Sequence, residues 1–133
     1  MASTHPHFED RGLKWQTKLA DAIALATAEN KHILVEYGRT SCVNCRALVQ
    51  NVMPHPVAKA ELEKHFVLLA ADCDKPEPEV RAIGAKHMSR ARALPFVMYL
   101  RADGTFVHGT EGARDLHGFV HDLLHGREDH HAH

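Results

Sequence analysis

Two cysteines separated by two residues, Cys42-Val43-Asn44-Cys45, restrict what this chain of 133 residues can fold into more than any other feature. They follow the run Ile33 to Tyr37, whose consecutive and partly β-branched residues predict a buried strand. Gly38 to Ser41 breaks this strand, and a helical stretch begins at Cys42 and runs to about Val52. The motif is therefore predicted at the first turn of a helix that follows a buried strand, a context in which this spacing indicates redox chemistry.

This location favours the thiolate form of the first cysteine. The first turn of a helix presents unpaired N–H groups and the positive end of the helix dipole, and both stabilise a negative charge. Arg39 and Arg46 bracket the motif and add positive potential. The thiolate is the attacking species in disulfide exchange. We therefore expect Cys42 to be exposed and to attack a substrate disulfide, and Cys45, one turn further on and more buried, to resolve the mixed disulfide.

The same spacing could instead hold half of a zinc site. A tetrahedral structural site takes four ligands, usually from two such pairs, and the sequence contains one pair and one further cysteine, Cys73. Cys73 and scattered histidines would have to complete the set. The alternative hypothesis is thus a non-catalytic binding module, or a metal-binding protein, in which the cysteines have no redox role.

The rest of the chain alternates between helical and strand patterns. A helix is predicted over residues 14–29, with Trp15 among its apolar positions and Asn30 as its C-terminal cap. The further predicted elements are a short helix from Pro56 to about Lys64, a strand from Phe66 to Ala71, a helix beginning near Pro76 and Pro78, strands at Phe96 to Leu100 and Thr105 to His108 joined by an Asp103-Gly104 turn, and a terminal helix carrying Leu116 to Leu124. This order predicts an α/β domain with a central mixed sheet, helices on both faces and an antiparallel edge hairpin.

Length and charge limit the other classes of function. One domain accounts for the length, and we divide the chain into a flexible lead-in (1–13), the domain (14–125) and a disordered, histidine-rich tail (126–133). A formal net charge of −1 and the lack of a basic stripe argue against nucleic acid. The longest apolar runs have the length of strands, so we expect no membrane insertion. Met1 to Asp10 lacks the apolar core of a signal peptide, which predicts a cytoplasmic protein; alternatively, the protein is periplasmic and a signal peptide was removed.

The strand, the Cys42-Val43-Asn44-Cys45 motif, and Leu94-Pro95 leading into a strand and an Asp-Gly hairpin together resemble the thioredoxin superfamily, over roughly residues 14–124. Trp15 to Val35, with its Ala-rich helix and Asn30-Lys31-His32, is similar to the disulfide reductase/isomerase branch, which includes the C-terminal domain of the DsbD transmembrane reductase. The resemblance implies a thioredoxin fold and a thiol–disulfide oxidoreductase that reduces or isomerises protein disulfides. Such a protein needs no cofactor beyond its own Cys42–Cys45 disulfide. We expect a monomer that acts on protein substrates and is recharged by a reducing partner protein.

The resemblance also implies roles for three positions outside the motif. Pro95 matches the family's cis-proline, which lies beside the disulfide and helps a substrate backbone pair as an extra strand, and Leu94 before it would line the substrate groove. Glu36, six residues before Cys42, matches a buried acidic residue that could relay a proton to or from Cys45. The structural alternatives are a trans proline at the start of a strand and a surface glutamate at the end of one.

The chain departs from the family pattern beside and within the motif. Ser41 stands where family members usually carry an aromatic residue. Val43-Asn44 is neither the Gly-Pro of thioredoxins nor the Gly-His or Pro-His of oxidising members. The redox direction therefore stays open, although we favour reduction. The basic segment from Ala85 to Ala93 could shape the choice of partner, but we interpret it as a solvated loop.

The third cysteine and the histidines have simpler interpretations than chemistry. Cys73, at the end of a predicted strand, is expected to be a small buried hydrophobe and not a regulatory thiol. His117, His121 and His125 follow at four-residue steps and share one face of the terminal helix, where they could bind a metal. Because this stripe flanks the apolar face, we interpret it as solvated and predict no metal site.

Overall fold

Residues 5–128, which the computed structural model describes, form a five-stranded sheet and the helices that pack against it. The strands are β1 (Trp15–Gln16), β2 (His32–Gly38), β3 (Phe66–Asp72), β4 (Phe96–Leu100) and β5 (Phe106–Glu111). The helices are α1 (Leu19–Glu29), α2 (Val43–Ala47, continued by a π-helical segment over Leu48–Val52), α3 (Pro56–His65), α4 (Pro78–His87) and α5 (Leu116–Gly126).

The strand order in the sheet is β1-β3-β2-β4-β5. β1 and β2 both pair in parallel with β3, whereas β4 runs antiparallel to β2 and β5 runs antiparallel to β4. This arrangement confirms the predicted mixed sheet with an antiparallel edge hairpin. Tyr37 at the end of β2 lies opposite Phe96 at the start of β4. The loop that follows β2 and the loop that precedes β4 therefore emerge at the same edge of the sheet.

The central strands are buried on both faces, which explains their continuous hydrophobic runs. On β2, Leu34 belongs to a first core cluster, which it shares with Phe119 of α5. Its neighbour Ile33 belongs to a second core cluster, together with Ala26 of α1 and Val80 of α4. Helices thus cover both faces, as predicted. Within residues 5–128, no helix is long and apolar enough to cross a bilayer.

The helix predicted over residues 14–29 begins later than expected. Trp15 and Gln16 instead form β1, which pairs with Leu68 and Leu69 along the outer edge of β3. Trp15 is buried in the first core cluster, so its apolar character serves a strand and not the first turn of a helix. Two residues of strand are too few to show a period of two in the sequence. The predicted C-terminal cap is confirmed, since Asn30 adopts the left-handed conformation with φ 57°.

The flexible lead-in predicted over residues 1–13 is not what the structure shows from His5 onward. His5, Phe8 and Leu13 are buried. The His5 ring stacks on Phe8, with centroids 5.2 Å apart, and meets Trp15 edge-on at 4.8 Å. These anchors are spaced too irregularly to produce a helical or strand pattern, and the polar residues between them conceal their role. Residues 1–4 lie outside the described part of the chain.

The tail predicted over residues 126–133 likewise begins later than expected. Gly126 is still part of α5, and the next two residues make ion pairs with the body of the domain. Glu128 receives hydrogen bonds from His32 at 2.9 Å and from Arg101 at 2.6 Å. These bonds, that of His32 first, lower the pKa of the Glu128 carboxyl below its ordinary value. Residues 129–133 lie outside the described part of the chain.

We expect Glu128→Gln to lower the free energy of unfolding at neutral pH by less than about 1 kcal/mol, the range of exposed ion pairs. A carboxyl whose pKa is lowered in the folded state stabilises the fold above its unfolded pKa of about 4.3, and this contribution is lost as the pH falls through the folded-state value. In urea titrations, the difference between the wild type and this variant should therefore shrink between about pH 7 and about pH 3. A difference that is the same at both pH values would show that Glu128 contributes by packing alone.

Candidate active site

The edge of the sheet where β2 ends and β4 begins brings the predicted site residues together. The motif follows β2 directly, and Leu94-Pro95 directly precedes β4. Cys42 and Leu94 both pack against the first core cluster. The peptide bond between Leu94 and Pro95 is cis, as the resemblance implies. Cys73 lies at this edge as well, because its backbone N–H donates to the carbonyl of Gly38 at 2.7 Å.

Cys42 is the N-cap residue of α2, which confirms that the motif opens a helix. Its backbone is extended, with φ −87° and ψ 113°, and its Sγ accepts a hydrogen bond from the backbone N–H of Cys45 at 3.1 Å. The thiol is partly exposed. A sulfur that accepts a backbone N–H bond is stabilised more strongly as an anion than as a thiol. The geometry thus suits Cys42 to the role of nucleophile.

Cys45 has the opposite environment. It lies one turn into the helix and is completely buried in the first core cluster. Burial, followed by the interaction with the Cys42 sulfur, raises the pKa of the Cys45 thiol well above its ordinary value. At neutral pH, Cys45 is therefore a thiol that must lose a proton to a nearby base before it can attack.

Glu36 supplies a carboxylate next to Cys45. The residue is 1% exposed, so the alternative of a surface glutamate is excluded. Glu36 and Gly38 point to the same face of β2 because they are two residues apart. A Cβ atom at position 38 would come within 3.0 Å of both Glu36 Oε2 and Cys45 Sγ. The two atoms therefore lie within twice that distance of each other, in the space that the missing side chain of Gly38 leaves open.

His5 is a member of this site that the sequence analysis missed. Its Nε2 lies 2.8 Å from Glu36 Oε1, and its Nδ1 accepts hydrogen bonds from the backbone N–H groups of His7 and Phe8 at 3.1 and 3.2 Å. The contact with Glu36 joins residues 31 positions apart. A histidine near Phe8 in an otherwise polar segment was the one available signal, and it does not reveal a partner so distant in sequence.

Cys73 lies near the motif but in a different environment. It is partly buried against the second core cluster, which only partly agrees with the prediction of a buried hydrophobe. Arg39 donates to its Sγ at 3.4 Å and pairs with Asp74 at 3.1 Å. The second arginine that brackets the motif, Arg46, lies over the Phe8 ring at 5.5 Å. Both arginines are thus tied to neighbours beside the motif.

The residues described here offer no metal centre. Within residues 5–128, no group of three or more histidine, cysteine, aspartate or glutamate side chains could hold a metal ion. On α5, the rings of His121 and His125 are 4.8 Å apart, and His125 lies 5.5 Å from the ring of His108. These are ring contacts at the surface of α5.

Comparison with known proteins places this geometry in context. A thioredoxin from Thermus thermophilus is 23% identical and superimposes with a TM-score of 0.67 over 91% of this chain and 98% of that chain. A disulphide isomerase from Xylella fastidiosa is 20% identical, with a TM-score of 0.65 over 80% of this chain and 86% of that one. The oxidised DsbD C-terminal domain of Neisseria meningitidis is 16% identical, with a TM-score of 0.60 over 81% and 91%. At these identities, the likeness shows the thioredoxin fold.

No curated protein matches the sequence significantly. A family model described as thioredoxin-like, however, matches residues 14–102. This range extends from β1 through β4 and includes the two cysteines of the motif, Glu36, Leu94 and Pro95. The chain therefore belongs to the thioredoxin-like family.

Proposed function

We propose that the protein is a thiol–disulfide oxidoreductase that reduces or isomerises protein disulfides. The observation that carries this proposal is the asymmetry of the cysteine pair. The Cys42 sulfur is partly exposed and accepts a backbone N–H bond, whereas the Cys45 thiol is buried beside a buried carboxylate. The Cys42 sulfur is thus accessible to a substrate disulfide, whereas the buried Cys45 sulfur is accessible only from within the protein.

The exchange proceeds in two displacements. The Cys42 thiolate attacks one sulfur of a substrate disulfide, forms a mixed disulfide and releases the first substrate thiolate. Cys45 then attacks the Cys42 sulfur, the mixed disulfide breaks, and the second substrate thiolate leaves. Two electrons pass to the substrate, and the enzyme is left with a Cys42–Cys45 disulfide. The dithiol is therefore its own electron carrier, and a reducing partner protein must restore it.

Substrate contact is proposed around the exposed end of the motif. Val43, which follows Cys42, is 79% exposed and is one of two large apolar side chains among the described residues that are openly exposed. Leu94 is half-buried against the same core cluster as Cys42. Pro95 follows Leu94 across the cis peptide bond, at the end of the sheet where the motif lies. We assign Leu94 and Pro95 to substrate binding on this basis, with an extended peptide as the proposed ligand.

The test is the reduction potential of the pair, measured by equilibration in glutathione buffers. We expect a disulfide to form between Cys42 and Cys45, with a potential nearer to the ~−270 mV of thioredoxin than to the ~−120 mV of a strong oxidant. The dithiol form should also catalyse the reduction of insulin by dithiothreitol. Protein alkylated with iodoacetamide is the control for turnover. A pair that stays dithiol in every buffer, in a protein without insulin turnover, would replace this proposal with the binding-module hypothesis.

A further inference from the structure

We propose that His5 is a positioning residue for the proton transfer at Cys45: it holds Glu36 by one carboxylate oxygen so that the other oxygen faces the Cys45 thiol. The inference rests on the proposed disulfide exchange and adds a residue to it from outside the region that the family model matches. Three observations carry it: the contact between His5 and Glu36, the hydrogen-bond pattern of the His5 ring, and the environment of the second Glu36 oxygen.

The contact between His5 and Glu36 is completely enclosed. Their side chains are 1% and 2% exposed, and Nε2 lies 2.8 Å from Oε1. The imidazole is held in place by Phe8, on which it stacks, and by Trp15, which it meets edge-on. A buried carboxylate oxygen needs a donor, because a polar group left unpaired away from water is strongly destabilising. His5 provides that donor to Oε1.

The hydrogen bonds of the other ring nitrogen determine which proton His5 carries. Nδ1 accepts from the N–H groups of both His7 and Phe8, so it carries no hydrogen. The proton of the neutral ring therefore lies on Nε2 and is donated to Glu36. A proton on Nδ1 would instead point at two N–H groups. His5 thus orients the carboxyl group by donating to Oε1, and Oε2 is left to act as the proton acceptor.

The second oxygen of Glu36, Oε2, is available to accept the proton of the Cys45 thiol. Oε2 is buried and has no hydrogen-bond partner in the part of the chain that the structure describes. Oε2 and the Cys45 sulfur both lie against the backbone of Gly38, where any other residue would carry its Cβ atom. The sheet neighbours of Glu36, Ala70 on β3 and Val97 on β4, bring no charge to it. Among residues 5–128, the titratable side chains found beside Glu36 are His5 at Oε1 and Cys45 near Oε2.

The step that this arrangement serves is the resolution of the mixed disulfide. Glu36 Oε2 accepts the proton of Cys45 Sγ, and the thiolate so formed attacks Cys42 Sγ. A sulfur–sulfur bond forms between the two cysteines, the bond to the substrate sulfur breaks, and the electron pair leaves with the substrate thiolate. That thiolate takes up a proton, and Glu36 returns its own to solvent or to the leaving group. The substrate disulfide is the oxidant, so no further reagent is needed.

Two substitutions of His5 separate positioning from packing. Asn places its oxygen where Nδ1 lies, so His5→Asn keeps the bonds from His7 and Phe8 but loses the donor to Glu36. Gln places its amide nitrogen near the position of Nε2, so His5→Gln keeps the donor to Glu36 but loses the bonds to the backbone. A merely structural role predicts the larger defect in His5→Gln. A positioning role predicts it in His5→Asn.

The readout is a stopped-flow reaction with equimolar dithiobis(nitrobenzoate), an aryl disulfide whose released thiolate is coloured. All proteins carry Cys73→Ser, so the colour reports the motif alone. The first phase is attack by Cys42, and the second phase is resolution by Cys45. In His5→Asn we expect the second phase to slow by about tenfold with the first phase unchanged, below the ~100- to 10,000-fold that an acid–base group itself can contribute. In His5→Gln, both phases should stay close to those of the parent.

Three results would overturn the inference: a normal second phase in His5→Asn, a slower one in His5→Gln than in His5→Asn, or equal slowing of both phases. Glu36→Gln adds a check that does not depend on stability, because adding His5→Asn to it should slow resolution no further. If the parent protein itself releases only one coloured thiolate, the proposed function fails. If it releases two and His5→Asn behaves like the parent, the function stands and the role of His5 is refuted.

Discussion

Cys45→Ser is expected to convert the protein into a covalent trap for its substrates. The partly exposed Cys42 retains the N–H bond from position 45, because that bond comes from the backbone. It can therefore still attack a substrate disulfide, but nothing remains to attack the mixed disulfide that results. Without dithiothreitol, the reduced variant should accumulate a protein–insulin adduct on non-reducing gels, and added dithiothreitol should cleave it. Because only this external thiol can then release Cys42, catalysis of insulin reduction by dithiothreitol should fall far below that of the wild type.

Two matched serine variants test whether the adduct forms through Cys42. Cys42→Ser should lose turnover and form no adduct, because the buried Cys45 cannot reach a protein substrate. Cys73→Ser should behave like the wild type, because Cys73 contacts Arg39 and the second core cluster, on the opposite face of the sheet from Cys45. An adduct that depends on Cys73 and survives Cys42→Ser would mean that the nucleophile has been misassigned.

Most of the fold could be predicted because its signals are local. The runs that became β2, β3 and β4 contain consecutive hydrophobic residues, since both of their faces are covered. The Asp103-Gly104 turn and the cap at Asn30 depend on backbone conformations that few residue types favour. Trp15 shows where this approach fails. Its strand exists only because β3 presents a free edge to it, and that edge is not visible in the residues around Trp15.

The candidate site likewise contains residues that the sequence reveals and residues that only the fold brings together. Cys42 and Cys45 are recognisable from their own spacing and from the strand before them. Glu36 is implied by the family resemblance, because it matches an acidic residue six positions before the first cysteine. His5 contacts Glu36 only because the chain brings together residues 31 positions apart, so no local sequence pattern predicts this contact. From the sequence, Gly38 only marks the end of a strand. In the structure, the Glu36 carboxyl group and the Cys45 thiol can approach each other because Gly38 has no side chain between them.

The second large effect is expected from Gly38→Ala, which should lower the stability of the fold and slow the resolution of the mixed disulfide. A Cβ atom would lie within 3.0 Å of Glu36 Oε2 and Cys45 Sγ, two buried atoms that are held by His5 and by the backbone of α2. Forcing a methyl group into a packed core costs typically about 1–3 kcal/mol. We expect a loss of stability in that range in urea titrations. We also expect a slower second phase with the aryl disulfide, because Oε2 and Sγ are pushed apart.

Gly84→Ala is the matched control, and its predicted sign is the opposite. Gly84 lies inside α4, and a Cβ atom there would meet Phe96 at 3.9 Å, an ordinary contact. Since glycine within a helix is less stable than alanine by roughly 0.5–1 kcal/mol, this variant should unfold at higher urea concentration and react at the normal rate. Equal effects of the two substitutions would mean that backbone entropy governs both sites. A stable Gly38→Ala protein with a normal second phase would show that resolution does not need the carboxylate to meet the thiol beside Gly38.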